Sequence, residues 1–240
     1  MLLKYNVISK CIDLLENERN EIVTRALTIL GNLLTGGQEQ TKCLISHGFI
    51  PHLAKLVSHS NKMIRKIALV ALSYIAAELP DEIQCLIDAG VFLVLFERIP
   101  CEEFDIRKEI LWTFHNALCS GNDDQMKYLI DAGVVPFICQ MAAVEVDESV
   151  IKLALDALEL ALGCGYRLDK LAEVNHLIEG CGGLDKLEAL TDHPSDEVYK
   201  RAYNLIERYF GVDDEGVELD SLIMDEQVMD LFQEMSDQIL

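Results

Sequence analysis

The 240-residue chain has no uninterrupted apolar run of about 18 residues or more, so no segment reads as a bilayer-spanning helix. Basic charge is scarce: 20 Lys and Arg stand against 41 Asp and Glu, a net charge of −21. Phosphate backbones and anionic membrane surfaces repel such a chain, which argues against nucleic-acid and membrane partners and for basic ones. The opening residues, Met1-Leu2-Leu3-Lys4-Tyr5-Asn6, lack a basic region followed by an apolar stretch and a cleavage site, so no secretory signal is read there. None of the eight cysteines forms a CxxC pair and no clustered Cys/His spacing suits tetrahedral zinc. They read as small core residues in a reducing compartment. GxSxG, HExxH, GxxxxGKS/T and GxGxxG patterns are missing, and acidic pairs such as Asp213-Asp214 have no His or Lys nearby. The chain reads as a non-enzyme that needs no cofactor and no metal.

Half of the residues are apolar, enough for one large domain, two small ones or a repeat array. Self-similarity selects the array. His47-Gly48-Phe49-Ile50-Pro51, Ala89-Gly90-Val91-Phe92-Leu93 and Ala132-Gly133-Val134-Val135-Pro136 recur at steps of 42 and 43 residues. One step back lands on Asn6, a residue type that tolerates the left-handed conformation expected of these glycines. Gly183 opens a last unit after a longer interval, giving units that start near 6, 48, 90, 133 and 183. Cys43 and Cys85, 42 residues apart, each precede Leu-Ile and read as one packing position used twice. Pro51 and Pro136 fall three residues after their glycines, where a helix can begin.

Within the units the apolar spacing is helical. Ile67, Ala68, Val70, Ala71, Leu72 and Ile75 form one segment. Ile110, Leu111, Phe114, Ala117 and Leu118 repeat it, as do Leu153, Leu155, Ala157, Leu158, Ala161 and Leu162. These stripes are wide, as expected of helices buried between neighbours on both sides. Residues 1–210 are therefore predicted to be an all-α stack of about five two- or three-helix units, an α-solenoid of armadillo or HEAT type with a long groove. Residues 211–240 differ, holding ten of the acids and neither Lys nor Arg, which leaves −11 for residues 1–210. Val228, Leu231, Phe232, Met235 and Ile239 keep helical spacing there. An amphipathic helix docking on a partner or on the array itself and a solvated acidic tail both fit that segment.

Specific motifs point further. Arg107-Lys108-Glu109 followed by Trp112-Thr113-Phe114-His115-Asn116 resembles the R-K-E-x-x-W-x-x-x-N inner helix of the importin-α family of armadillo proteins. Residues 26–36, ALTILGNLLTG, are similar to its A-L-R-A-x-G-N-I-V-T-G segment. Residues 181–190, CGGLDKLEAL, with 205–210, LIERYF, resemble its closing repeat. The co-linear match over residues 1–210 implies the C-terminal half of that family's array, from the sixth repeat to the tenth. On that reading the importin-β-binding segment and the major signal-binding repeats are absent. What remains resembles the minor nuclear-localisation-signal site and the end contacted by an export receptor, in a protein that shuttles between cytoplasm and nucleus.

The resemblance implies a binding chemistry for basic signal peptides of cargo proteins. Trp and Asn four residues apart share one helix face. Indole rings make slots for Lys or Arg stems, with the cation against the ring face. The Asn amide bonds both the N–H and the C=O of an extended main chain. Helices about 8–10 Å apart and a peptide rise of about 3.3 Å per residue bring successive slots to side chains two or three residues apart. The implied contact residues are Asn32, Thr35, Ser73, Glu109, Trp112 and Asn116, with Thr35 and Ser73 carried by family position alone.

The columns are poorly filled. At the Trp position stand Thr28, Val70, Trp112, Asp156 and about Asn204; at the Asn position stand Asn32, Tyr74, Asn116, Leu160 and about Arg208. Only one unit keeps both members, and Ile67 stands where Glu109 has its equivalent. A degraded minor site is the expectation, with two alternatives beside it. One is a divergent armadillo scaffold whose groove serves another protein partner; the other is a repeat segment recruited through its acidic tail. His115 reads as a polar residue at the groove edge, and the other histidines as isolated loop or junction residues. The apolar Met1, Leu2, Leu3, Val7 and Ile8 predict self-association through the first unit or cover by the C-terminal segment.

Overall fold

A computed structural model describes residues 7–143 and 147–211. All regular elements among them are helical. The described residues begin with α1 (Val7–Asp13), a 3-10 turn (Leu14–Glu16) and α2 (Asn20–Leu34). Three-helix units follow: α3 (Gln38–Ser46), α4 (Phe49–Leu56) and α5 (Lys62–Ala76), then α6 (Pro80–Asp88), α7 (Val91–Arg98) and α8 (Phe104–Ser120). The series closes with α9 (Asp123–Asp131), α10 (Val134–Met141) and α11 (Glu148–Arg167), then α12 (Leu171–Gly180), α13 (Gly183–Leu190) and α14 (Asp196–Phe210). The array through Tyr209 is one compact unit. No described helix is long and apolar enough to cross a membrane.

The stride seen in the sequence has a backbone cause. Gly48, Gly90 and Gly133 have φ of 80°, 69° and 103°, the left-handed turn that reverses the chain from the first to the second helix of a unit. The glycines therefore lie inside the three-helix unit. In the last unit the left-handed residue is Gly182, φ 71°, and Gly183 is the first residue of α13, one position from the reading of the sequence. Two of the long third helices, α5 and α11, start on side-chain caps: Asn61 accepts from the Met63 and Ile64 amides, and Asp147 accepts from the Ser149 amide. Asn122 and Gln125 form a reciprocal capping box on α9.

The third helices make one layer, with α5 between α2 and α8, and α8 against α11. Ile64, Ala68, Leu72 and Ile75 of α5, and Ile110, Leu111 and Phe114 of α8, are fully buried. Equivalent side chains recur on α11 at Val150, Ala154 and Leu158. Phe114 stacks on Phe92 at 5.7 Å and meets Phe96 and, edge-on, Phe137, so one aromatic cluster joins two successive units. Polar ties cross the same junctions. Gln125 Nε2 donates to the Pro80 carbonyl at 2.8 Å and to Gln84 Oε1 at 3.1 Å. The buried Glu102 carboxylate accepts from Arg65 and Arg98.

Two expectations need correction. Of the eight cysteines, Cys11, Cys139 and Cys164 are buried, Cys43, Cys85, Cys119 and Cys181 are half-buried, and Cys101 is exposed. The shared Cys43/Cys85 position is therefore only half covered. Ile8 is buried at 5 % exposure, so it offers no apolar surface for self-association; Met1, Leu2 and Leu3 lie outside the described residues. The apolar positions 228–239 lie outside them too.

Candidate functional site

Register follows from the buried positions. Ile64, Ile106, Val150 and Val198 are equivalent first-turn core residues of α5, α8, α11 and α14. This places Val70, Trp112, Asp156 and Asn204 at one level of the third-helix layer, and Tyr74, Asn116, Leu160 and Arg208 one turn further on. All eight are half-buried or exposed, as are Thr28 and Asn32 at the same levels of α2. The columns deduced from the sequence thus run along the accessible side of the layer, opposite the buried stripe.

The centre of this face is on α8. Trp112 is half-buried, with its ring edge-on to His115 at 5.8 Å. Asn116 Nδ2 donates to the Ser73 carbonyl of α5 at 3.0 Å, and its Oδ1 lies 3.3 Å from His115 Nδ1. The amide is thereby oriented by two helices. It keeps a second Nδ2 hydrogen and a further Oδ1 lone pair for another partner. Ser120, one turn beyond, donates to the Ala77 carbonyl at 3.1 Å. The predicted contact residues Ser73, Glu109, Trp112 and Asn116 therefore meet at the α5–α8 junction.

Asn32 and Thr35 sit one helix away on α2, exposed, with Thr35 Oγ1 donating to the Asn32 carbonyl at 2.9 Å. The Ser73 hydroxyl likewise turns back to the Val70 carbonyl at 2.8 Å. Both hydroxyl hydrogens are committed to the helix backbone, so these residues offer only lone pairs outward.

His115 is not a groove-edge residue. It is 6 % exposed, and burial lowers its pKa against the opposing pull of its Asn116 hydrogen bond and the charge of Asp156. Burial disfavours the charged form of the ring, which lies beneath the face against Trp112 and Asn116.

Electrostatically the face is knit by pairs that no single motif reveals. Glu109 is bound by Lys66 of α5 at 3.3 Å. Asp156 of α11 is bound by Arg201 of α14, which also donates to Glu197 at 2.9 Å. Glu159 is bound by Arg208 at 3.2 Å. Lys152 joins Glu148 to Glu197. Lys66 and Arg201 are residues of this face that the sequence reading missed. The signal that finds them is the stride itself, since 43 and 45 residues separate the partners, one unit apart. Among the described residues no group of three or more His, Cys, Asp or Glu side chains is placed to hold a metal ion.

Residues 37–77, spanning α3 to α5, match the Armadillo/beta-catenin-like repeat, and residues 172–225 match the Atypical Arm repeat. Importin subunit alpha-1b of Oryza sativa subsp. japonica is 31% identical over 215 residues, covering 87% of this chain and 40% of the relative. Importin subunit alpha-1a of the same plant is 33% identical over 220 residues, 87% of this chain and 41% of the relative. Importin subunit alpha-8 of Arabidopsis thaliana is 29% identical over 204 residues, 83% and 46%. The chain spans less than half the length of these relatives. Among solved structures, the designed armadillo repeat protein YIII(Dq.V1)4CPAF in complex with peptide (KR)4 superposes with a TM-score of 0.73 at 28% identity. It covers 86% of this chain and 83% of its own. A second designed armadillo repeat protein, YIII(Dq)4CqI, gives 0.72 at the same identity and coverage.

Proposed function

Since the repeats of this chain are armadillo repeats of the importin-α family, we propose that it is a non-enzymatic peptide-binding adaptor of nuclear protein import. The reading is that of the family's C-terminal repeats, with the atypical repeat at residues 172–225 as the closing one. Its ligand is an extended Lys/Arg-rich segment of a cargo protein lying along α2, α5 and α8. Trp112 takes one basic side chain by its stem and ring face, Asn116 takes the main chain, and Asn32, Thr35 and Ser73 add polar contacts. Glu109 supplies sign preference once Lys66 yields it. The last repeats would meet an exportin-type receptor, and the protein would shuttle between cytoplasm and nucleus.

One observation carries the reading: Trp112 and the oriented amide of Asn116 stand together on the accessible side of a helix layer. Support comes from a fold neighbour whose bound peptide is the alternating basic (KR)4. Fluorescence anisotropy of labelled (KR)4 tests it, with parent and Trp112→Ala compared at two salt concentrations. Loss of the ring is expected to weaken binding about 3- to 30-fold, in line with a cation–π contact. The parent affinity is expected to fall as salt rises. Equal binding by the two proteins would remove Trp112 from the mechanism.

A second reading, a repeat scaffold whose face serves another protein partner, is favoured by one feature. Only α8 keeps both Trp and Asn, while the acids on either side carry cations of the chain's own.

A further inference from the structure

We infer that Arg201 is a built-in competitor for a ligand's basic side chain, closing the α11–α14 end of the face to cationic peptides. The inference rests on the reading of the face as a basic-peptide site and adds what limits it. Asp156 stands on α11 at the level that Trp112 holds on α8. α11 packs directly against α8, so Asp156 lies one helix over from the Trp112 slot. A carboxylate there is where the cation of a bound peptide would go next after the indole. Instead the Arg201 guanidinium holds it, with the two side chains 23% and 28% exposed.

Arg201 is itself fixed from a second side. Its other terminal nitrogen donates to Glu197 at 2.9 Å, and Glu197 also pairs with Lys152, which pairs with Glu148 at 2.9 Å. A forked guanidinium shared between two carboxylates is more strongly held than a lysine on one, because its donors are preorganised in a plane. Further along, a second α11 carboxylate, Glu159, is likewise bound by Arg208 of α14 at 3.2 Å. Asp156 and Glu159 of α11 are thus both satisfied by arginines one unit away. An incoming Lys or Arg must displace one of them or accept a neutralised partner, so it gains little net attraction.

By contrast, the pair nearest the Trp112 slot on the other side is Glu109 with Lys66. It is a single point charge at 3.3 Å on a lysine 43% exposed, and is more easily exchanged. The face is therefore asymmetric. A short basic segment is accepted over α5 and α8, and extension toward α14 adds little affinity. Substitution of Arg201 releases the block.

Anisotropy titrations of labelled (KR)4 on the full chain test this, using the parent, Arg201→Met, Asp156→Asn, the double variant, Lys200→Met and Trp112→Ala, each checked for a cooperative thermal transition. Arg201→Met is expected to bind three- to tenfold more tightly than the parent. Asp156→Asn alone is expected to change affinity by less than about twofold, and the gain is expected to vanish in the double variant. Lys200→Met removes the same charge from an exposed neighbouring site and is expected to give no such gain. Arg201→Lys, which keeps the charge without the fork, guards against loss of folding in the Met variant and is expected to give about a twofold gain. An unchanged or weaker Arg201→Met, or a gain that persists without Asp156, overturns the inference. If parent binding depends on Trp112 and Arg201→Met gains nothing, the inference falls and the peptide-site reading stands. If no variant binds (KR)4, both fall.

Discussion

At the scale of single residues, the helix turns about 100° per position, and this decides what neighbours in sequence do in space. Asn116 reaches the accessible face while His115, next to it, is carried under it. The pair Trp112–Asn116 was legible because a spacing of four fixes a shared face. The burial of His115 was not, because it depends on the stacking of α11 beside α8. The consequence is a titration. The folded-state pKa of His115 is lowered from 6.5 by burial, so the unfolded chain binds a proton that the folded chain refuses. Stability is then complete above about pH 6.5 and falls as pH drops toward the folded value. His115→Gln, followed by urea denaturation across that window, is expected to flatten this slope. It should also loosen (KR)4 binding through the freed Asn116 amide. A slope unchanged by the substitution would show that His115 is not the titrating group. Facing charges to be held constant in that comparison are Asp156 of α11 and its partner Arg201 of α14.

At the scale of elements, each unit depends on one sharp reversal between its first and second helices. Gly90 has φ 69°, and a Cβ there would meet nothing within 4 Å, so the residue is required by backbone angle and not by space. Gly90→Ala is therefore expected to cost about 1–2 kcal/mol in the urea midpoint, with the slope of the transition unchanged. Gly90→Asn should cost less, since Asn visits that region more readily. Full stability in the Ala variant would place the need for glycine elsewhere. These turns explain why the repeat was readable: three glycines with left-handed φ recur at nearly constant stride. The last unit was misplaced by one residue because Gly182 and Gly183 are adjacent and sequence alone does not say which of them takes the positive φ. The cysteine reading failed for a related reason. A shared column says that two positions are equivalent, not that the column faces inward, and Cys43 and Cys85 lie on the half-covered side of their helices.

For the molecule as a whole, the helical layers and the accessible face follow from periodicity, whereas the ion pairs that cross from unit to unit require the register between units. These pairs give the array an acid-sensitive seam. Hydrogen bonds from Lys152 hold the Glu148 and Glu197 carboxyls below their usual 4.5. Their contribution is present above that value and is lost as pH falls through the lowered folded pKa. Glu197→Gln is expected to flatten the stability loss below about pH 4.5 relative to the parent, as read from denaturant midpoints. The same seam sets the binding character proposed for the face, basic ligands over α5 and α8 and none favoured over α14. Trp112 is the single tryptophan of the chain, so its emission reports on that face with no labelling. Titration of the parent protein with unlabelled (KR)4, read as Trp112 fluorescence, tests whether a basic peptide lies against the indole. A saturable change in emission that is abolished by high salt is the predicted result; peptide association detected by anisotropy with Trp112 emission unmoved would contradict it.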